Sequence, residues 1–265
     1  NFLWPLVFFG AKWYLAAFFV LLVLCLLMAV PAGYAAEEDM VPIAGEPRVF
    51  SFEKGMADGF GYAHGWTNGG VFNVTWWKDQ VIKEDGYIRL VLDRDAHPRG
   101  AIPYASAEVR SHKFYGYGRY EVSMKAARAK GVVSSFFTYT GPSDNNPWDE
   151  IDFEFLGKDT TRVQLNYFCN GVGNHEYMHD LGFDAAEDFH RYAFEWRPDR
   201  IDWFVDGERV HTAYDSIPST PSKIMVNLWC STGADHWTGP FDPSVLPLSA
   251  CYEWISFTPL EAAQP

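Results

Sequence analysis

From Val49 onward the sequence is a succession of short segments in which apolar and polar residues alternate, separated by Gly, Pro, Asn and Asp. Alternation with a period of two is typical of β-strands with one buried face, and few windows keep a helical period for three turns. The sequence therefore predicts an all-β fold. The candidate strands are Tyr87–Asp93, Tyr117–Lys125, Val132–Tyr139, Glu150–Leu156, Arg162–Phe168, His190–Trp196, Ile201–Val205, Glu208–Thr212, Lys223–Trp229 and Cys251–Phe257.

This many strands need two packed sheets, because each sheet must bury one of its faces. We predict a jelly-roll β-sandwich of two antiparallel sheets, forming one domain over residues 49–265. Asp206-Gly207 tolerates positive φ at both positions and predicts a hairpin turn. Ala185 to Asp188 are predicted to form one helical turn at most.

The N-terminal 35 residues have a different composition from the rest of the chain. Lys12 is their only charge, and Trp13 to Val30 form an unbroken apolar run. Gly33 and Ala35 are small residues at the two positions that a signal peptidase reads. We predict a signal peptide over residues 1–35, a short leader over 36–48 and a secreted protein, with an uncleaved membrane anchor as the alternative.

The charge balance and the cysteines limit the partners and the cross-links. The chain has 34 acidic and 21 basic residues and a formal net charge of −13, which disfavours nucleic acid and anionic membranes as partners. We expect a monomer without a protein partner. Beyond the leader, the odd number of cysteines (Cys169, Cys230 and Cys251) allows one disulfide at most and leaves its identity open.

Residues 148–156, Trp-Asp-Glu-Ile-Asp-Phe-Glu-Phe-Leu, carry the chemistry. On a strand, Glu150, Asp152 and Glu154 share one face and the apolar residues between them share the other. A solvated strand is the ordinary interpretation of such alternation. However, such a face usually mixes charge signs, and three successive like charges repel one another.

A retaining glycosidase explains the three like charges, because it needs one ionised carboxylate as nucleophile and one protonated carboxyl as acid, about 5–5.5 Å apart. The Cα atoms of Glu150 and Glu154 lie roughly 13 Å apart on a strand, so the two side chains must lean together on a concave sheet. Asp152 between them would hold a proton or hydrogen-bond to the nucleophile.

Aromatic residues make up 17% of the chain, with 11 Trp and 14 Tyr. Sugar rings stack their apolar faces on such side chains. Most of these aromatics are expected in the core, but Trp148, Trp229 and Trp237 lie in turn-rich or polar contexts that suit a cleft.

Residues 175–179 match His-Glu-x-x-His, the pattern of zinc proteases. That chemistry requires both His175 and His179 on one face of a helix. Breakers lie on both sides of the segment, at 170–174 and 180–182. We therefore predict a loop with incidental histidines.

The run from Gly131 to Gly173 closely resembles bacterial lichenases of glycoside hydrolase family 16, and the likeness extends from about Val49 to Pro259. The segments that carry it are Ser134–Gly141, Pro147–Thr161, Phe72–Trp76, Gly116–Val122 and Ile224–Trp229. The resemblance implies a jelly roll with a substrate cleft across its concave sheet. It also implies retaining endo-hydrolysis of the β-1,4 bonds in mixed-linkage β-1,3-1,4-glucan, with β-glucan as the partner and no cofactor required for catalysis.

By position, the resemblance implies that Glu150 is the nucleophile, Glu154 the acid/base and Asp152 the assisting carboxylate. It also implies a set of substrate-binding residues in the cleft. These are Asn73, Glu108, Arg110, Tyr139, Trp148, Asn166, Asn227, Trp229 and Trp237.

The chain departs from the family pattern at several positions. Val74 and Ser106 stand where many Bacillus-type members have a disulfide, and Phe168 replaces a tyrosine that contacts sugar there. Family members often bind a structural calcium through backbone carbonyls and an aspartate. Here Glu253 takes the aspartate position, and Gly86 is the other candidate residue for that calcium site.

Two alternatives remain open at this point. Plant xyloglucan transglycosylases share the central motif, and laminarinases share the family but usually carry one more residue between the carboxylates of the motif. The other alternative is a carbohydrate-binding jelly roll without catalysis, although a lectin gains nothing from two like charges at catalytic spacing.

Overall fold

The structure is a computed structural model that describes residues 46–260, except for the side chain of Arg99. The predicted signal peptide or anchor at 1–35, and the leader up to residue 45, lie outside the described residues. Within the described part of the chain, the structure has no helix that is both long and apolar enough to cross a membrane.

The described residues form sixteen strands and one short α-helix, with single 3₁₀ turns at Lys78–Gln80, Pro142–Asp144 and Pro243–Val245. The strands are β1 Arg48–Ser51, β2 Phe60–Tyr62, β3 Thr75–Trp76, β4 Val81–Lys83, β5 Ile88–Arg99, β6 Ile102–Ser111, β7 Gly118–Lys125, β8 Val132–Thr140, β9 Asp149–Leu156, β10 Arg162–Phe168, β11 Tyr177–Asp180, β12 His190–Trp196, β13 Ile201–Val205, β14 Glu208–Ala213, β15 Lys223–Cys230 and β16 Leu248–Pro259. The helix, α1, is Asp235–Thr238.

The strands form two layers that are continuous at one corner. The cleft sheet has the order β11-β10-β9-β8-β15-β6, and the outer sheet has the order β5-β16-β7-β12-β13-β14. The long strands β5 and β6 pair with each other and so join the two sheets. The fold is therefore a nearly closed antiparallel sandwich, which confirms the predicted jelly roll; only the two-residue pairing of β3 with β6 is parallel.

The core lies between the two sheets and is largely aromatic. Phe136 of the cleft sheet packs on Phe194 of the outer sheet with ring centroids 5.6 Å apart. Phe155 meets Tyr192 edge-on at 4.7 Å. These rings come from the apolar face of each strand, so the polar face of the cleft sheet is left free for function.

All ten strands expected from alternation are present, with ends shifted by a few residues and with β5 and β16 extended. The alternation did not reveal β1 to β4, β6 or β11. β6 nevertheless alternates apolar and polar residues from Ala105 to Arg110, so its pattern was available and the strand was missed. The predicted hairpin turn is confirmed, with φ of 48° at Asp206 and 89° at Gly207. At 185–188 there is only a hydrogen-bonded turn, in which the Glu187 amide donates to the Asp184 carbonyl at 3.0 Å, in place of a helical segment.

Cys169, Cys230 and Cys251 are all free thiols, so none of the pairs that the sequence allowed is formed among them. Val74 and Ser106 are fully buried. The Ser106 hydroxyl donates to the Leu228 carbonyl at 2.5 Å, which ties β6 to β15.

Candidate active site

The alternation of β9 places the carboxylates of Glu150, Asp152 and Glu154 on the open face of the cleft sheet. Asp152 is 4% exposed, while Glu150 and Glu154 are partly exposed. Ile151 and Phe153 point into the core between the sheets. The local period of the strand is thus sufficient to put the three acids in one line.

The register of the neighbouring strands decides what lies beside each carboxylate. Three rows cross the cleft sheet from β10 through β9 to β8. The rows are Phe168–Glu150–Tyr139, Asn166–Asp152–Phe137 and Gln164–Glu154–Ser135. Each acid therefore has a different side chain on either side.

A cleft of about 1070 Å³ lies over this face of the sheet. All three carboxylates line it, as do eight of the nine side chains predicted to bind substrate: Glu108, Arg110, Tyr139, Trp148, Asn166, Asn227, Trp229 and Trp237. The ninth, Asn73, is not among the lining residues. It follows the lining residue Phe72, and its backbone amide donates to the Cys230 carbonyl at 2.9 Å.

Glu150 is held by an indole. Trp148 Nε1 donates to Glu150 Oε2 at 2.6 Å, and the Trp148 ring stacks on Phe168 with centroids 4.6 Å apart and planes 14° apart. Gly173 packs closely against Phe168, because a Cβ at position 173 would lie 2.5 Å from the Phe168 ring. Phe168 thus supports the residue that binds Glu150.

Glu154 is held by an amide. Gln164 Nε2 donates to Glu154 Oε2 at 3.1 Å, and Trp237 Nε1 donates to Gln164 Oε1 at 2.9 Å. Trp237 belongs to α1, so a segment distant in sequence reaches the end of the carboxylate row.

Burial, together with repulsion from nearby carboxylates, raises the pKa of all three acids. Burial is the largest cause for Glu150, opposed by the hydrogen bonds from Trp148 and Asp152, and its pKa rises to about 7. For Glu154, burial and then the charges of Glu150 and Glu176 raise the pKa to about 8. Burial and both glutamates raise the pKa of Asp152 well above its ordinary value. The hydrogen bond between Asp152 and Glu150 favours the proton on Asp152 and the charge on Glu150.

A second group of polar side chains lies on β6 and β15. Glu108 is 2% exposed and pairs with Arg110, and Asn227 Nδ2 donates to Glu108 Oε2 at 3.3 Å. Burial raises the pKa of Glu108, and the nearby Arg110 opposes that rise. The Arg110 guanidinium also lies 4.8 Å from the centroid of the Trp66 ring.

Two buried amide oxygens in the cleft are available to a ligand. Within residues 46–260, the Oδ1 atoms of Asn166 and Asn227 are buried and accept no hydrogen bond. A buried acceptor without a partner is unfavourable unless another molecule supplies the donor. These atoms therefore mark positions where hydroxyl groups of a ligand would bind.

The model of the family described as Glycosyl hydrolases family 16 matches residues 68–250 of this chain. The chain belongs to this family. The resemblance inferred from the sequence is thereby confirmed.

Individual relatives agree with this assignment. A β-glucanase of Acetivibrio thermocellus is 58% identical over 194 residues, which are 73% of this chain and 57% of the relative. This chain thus spans little more than half of that relative's length. Among solved structures, a β-1,3-1,4-glucanase (lichenase) from a mouse hindgut metagenome is 50% identical, with a TM-score of 0.78 over 82% of this chain and 100% of that one. The Bacillus licheniformis β-glucanase is 49% identical, with a TM-score of 0.75 over 81% and 99%.

The zinc-protease pattern does not form a helix, as the breakers on both sides of it predicted. The predicted loop covers only its first part, because β11 begins at Tyr177. His175 lies in the loop before β11, where its ring stacks on Tyr167 at 3.9 Å and its Nδ1 lies 3.0 Å from the Tyr167 carbonyl. His179 lies within β11. In the described part of the chain, no group of three or more His, Cys, Asp or Glu side chains is arranged to hold a metal.

Several cleft residues were not anticipated from the sequence. Gln164 and Glu176 act on Glu154, and the loop from Trp66 to Phe72 forms one wall of the cleft. Phe72 packs on Trp229 with centroids 4.1 Å apart, and Trp229 itself is only 2% exposed. The alternation of β10 puts Gln164 on the same face as Asn166, which is a signal that could have identified it.

Proposed function

We propose that this chain is a retaining endo-glucanase that hydrolyses β-1,4 bonds in mixed-linkage β-1,3-1,4-glucan. The observation that carries the proposal is the line of three acids on the cleft floor, all raised in pKa, with Glu150 hydrogen-bonded by an indole. The 50% identity to a protein described as a β-1,3-1,4-glucanase supports this choice of substrate.

In the first step, ionised Glu150 attacks the anomeric carbon while protonated Glu154 donates its proton to the departing glycosidic oxygen. The carbon–oxygen bond to the leaving sugar breaks as the bond to Glu150 forms. The hydrogen bonds from Trp148 and Asp152 favour the ionised form of Glu150 before the attack.

In the second step, Glu154 is ionised and removes a proton from water as the water attacks the same carbon. The bond to Glu150 breaks, the carboxylate is restored, and Glu154 is protonated again. Two inversions give retention of configuration. Because Glu150 must be ionised and Glu154 protonated, we expect a bell-shaped pH dependence limited near 7 and 8.

The cleft also suits a polymer of sugars. Trp148 is 39% exposed at the Glu150 end of the row, and Trp237 lies at the Glu154 end. The buried oxygens of Asn166 and Asn227 are acceptors for sugar hydroxyls. Rings and acceptors thus lie along the line on which the acids are placed.

Product analysis tests substrate and stereochemistry together. Barley β-glucan, laminarin and xyloglucan are incubated separately, reducing ends are measured, and proton NMR follows the first anomer formed. We expect short oligosaccharides of β configuration from barley β-glucan only. Activity confined to xyloglucan or laminarin, or an α product, would contradict the proposal.

We also propose a structural calcium beside β16, away from the acids. Carboxylate and carbonyl oxygens are the ligands that calcium prefers. The Glu253 carbonyl now accepts the Phe52 amide at 2.8 Å and its Oε2 accepts the Ser123 hydroxyl at 2.5 Å, so the ion would compete with these donors. Glu253, with the Gly86 carbonyl, would hold the ion. A melting curve with and without a chelator tests this, and an unchanged melting temperature would remove the proposal.

A further inference from the structure

The side-chain amide of Gln164 can contact Glu154 and Trp237 together in only one orientation. An indole Nε1–H can donate but cannot accept. Trp237 Nε1 lies 2.9 Å from one end of the Gln164 amide, so that end must be the oxygen. The amide nitrogen then faces Glu154, where it donates at 3.1 Å.

Trp237 is itself held in place by the neighbouring residue. Thr238 is fully buried, its carbonyl accepts the Gly131 amide at 2.8 Å, and its Oγ1 lies 2.6 Å from the Ser231 hydroxyl. The indole therefore comes from an anchored backbone, and it can keep the amide of Gln164 in one orientation.

We infer that Trp237 and Gln164 form a relay that positions Glu154 and favours its ionised form, so that Gln164 and Trp237 are positioning residues for the acid/base. This inference rests on the proposed function for its catalytic meaning. In this arrangement, the Nε1–H of Trp237 donates its hydrogen bond to Gln164 and not to a sugar hydroxyl.

The relay has a distinct task in the two-step reaction. The first step needs the proton on Glu154, and the second needs it removed. Burial and the charges of Glu150 and Glu176 favour the protonated form, whereas the Gln164 amide favours the carboxylate. The relay thus limits how far the neighbouring acids can raise the pKa, and it keeps the second step possible.

The charged groups around Glu154 come from several elements. Glu150 and Asp152 lie on its own strand, and Glu176 lies in the loop before β11. Other titratable or charged groups that line the cleft are Glu108 and Arg110 of β6, Tyr139 of β8, Asp144 after β8 and His236 of α1. None of them is altered by substitutions at Gln164 or Trp237.

The test uses Gln164→Met, Trp237→Phe and the double variant. Methionine keeps the length of Gln164 but cannot donate, so the basic limb of the kcat/KM profile should move upward by about one pH unit. Trp237→Phe keeps the ring but frees the amide to rotate, so it should shift the limb in the same direction by less. Because Trp237 acts through Gln164, the double variant should match Gln164→Met.

Trp77→Phe is the matched control, because Trp77 Nε1 donates to Asp95 Oδ2 at 2.8 Å outside the cleft. It should leave the limb unchanged. If Trp237→Phe raises KM without moving the limb, or if the two shifts add in the double variant, the relay is wrong. Should Gln164→Met not fold, the result for Trp237→Phe alone decides between these outcomes.

A measurement without substrate separates this inference from the proposed function. Carbon NMR titration of the glutamate carboxyl groups, with the Glu154 signal identified by its loss in Glu154→Gln, reports the pKa directly. An upward shift in Gln164→Met supports the relay even if barley β-glucan is not cleaved. An unchanged pKa of Glu154 in Gln164→Met overturns the relay even if barley β-glucan is cleaved.

Discussion

Glu150 and Glu154 lie at the two ends of one row on one strand, but they are held in different ways. Glu150 receives an indole hydrogen bond directly from Trp148, which is only two residues away in sequence. Glu154 receives an amide hydrogen bond from Gln164, which is oriented by the distant Trp237.

The electrostatic surroundings of the two ends differ as well. Trp148 and Asp152 both donate to Glu150 and oppose the effect of burial, which leaves its pKa at about 7. Glu154 has one donor and two repelling carboxylates, and its pKa rises to about 8. Two identical side chains thus acquire different roles because their neighbours differ.

The substitution expected to have the largest effect on activity is Glu150→Gln, which removes the carboxylate at one end of the row. The amide cannot attack the anomeric carbon, so we expect kcat to fall at least about a thousandfold, while an oligosaccharide still binds. Initial rates on barley β-glucan and calorimetry with a tetrasaccharide measure the two effects. Retention of more than a few per cent of the rate would show that the nucleophile is a different residue.

The Glu150 end can be weakened without removal of its carboxylate. Trp148→Phe keeps the stack on Phe168 but loses the N–H donor, so the pKa of Glu150 should rise and the acidic limb should move to higher pH. We expect a rate loss of about tenfold below the optimum. A pH profile checks this, and the basic limb should stay in place.

That profile is the counterpart of the Trp237→Phe experiment, in which the basic limb moves and the acidic limb does not. If both substitutions moved the same limb, the assignment of the nucleophile and acid/base to Glu150 and Glu154 would have to be reconsidered.

A smaller effect is expected on stability. The pKa of Glu154 is raised from 4.5 to about 8 on folding, so the folded state resists its ionisation. The contribution to stability is complete below about 4.5 and is lost as the pH rises toward 8. Glu154→Gln cannot ionise and should therefore melt higher than the wild type at pH 8. After a discount for solvent screening in the open cleft, the gain is on the order of 1 kcal/mol, or roughly 2–4 °C.

Calorimetry or circular dichroism at two pH values measures this difference. At pH 4.5 both proteins carry an uncharged side chain at position 154, so their melting temperatures should nearly coincide. An equal difference at both pH values would mean that packing, and not ionisation, is responsible.

The sequence by itself determined the fold class and the line of acids. Alternation is a local property, so it placed Glu150, Asp152 and Glu154 on one face of β9 and predicted ten of the strands before any contact was known. The same alternation runs from Ala105 to Arg110 of β6, a strand that was missed although its pattern was present. β1 to β4 are only two to four residues long, which is too short for a period of two to be recognised.

Only the tertiary structure decided how each acid is held. The register between β9 and β10 sets Gln164 beside Glu154 and Phe168 beside Glu150. A shift of one residue would have reversed both faces. The contact of Trp237 with Gln164 joins segments 73 positions apart. Such contacts depend on the packing of the whole sandwich, which no local pattern of residues specifies.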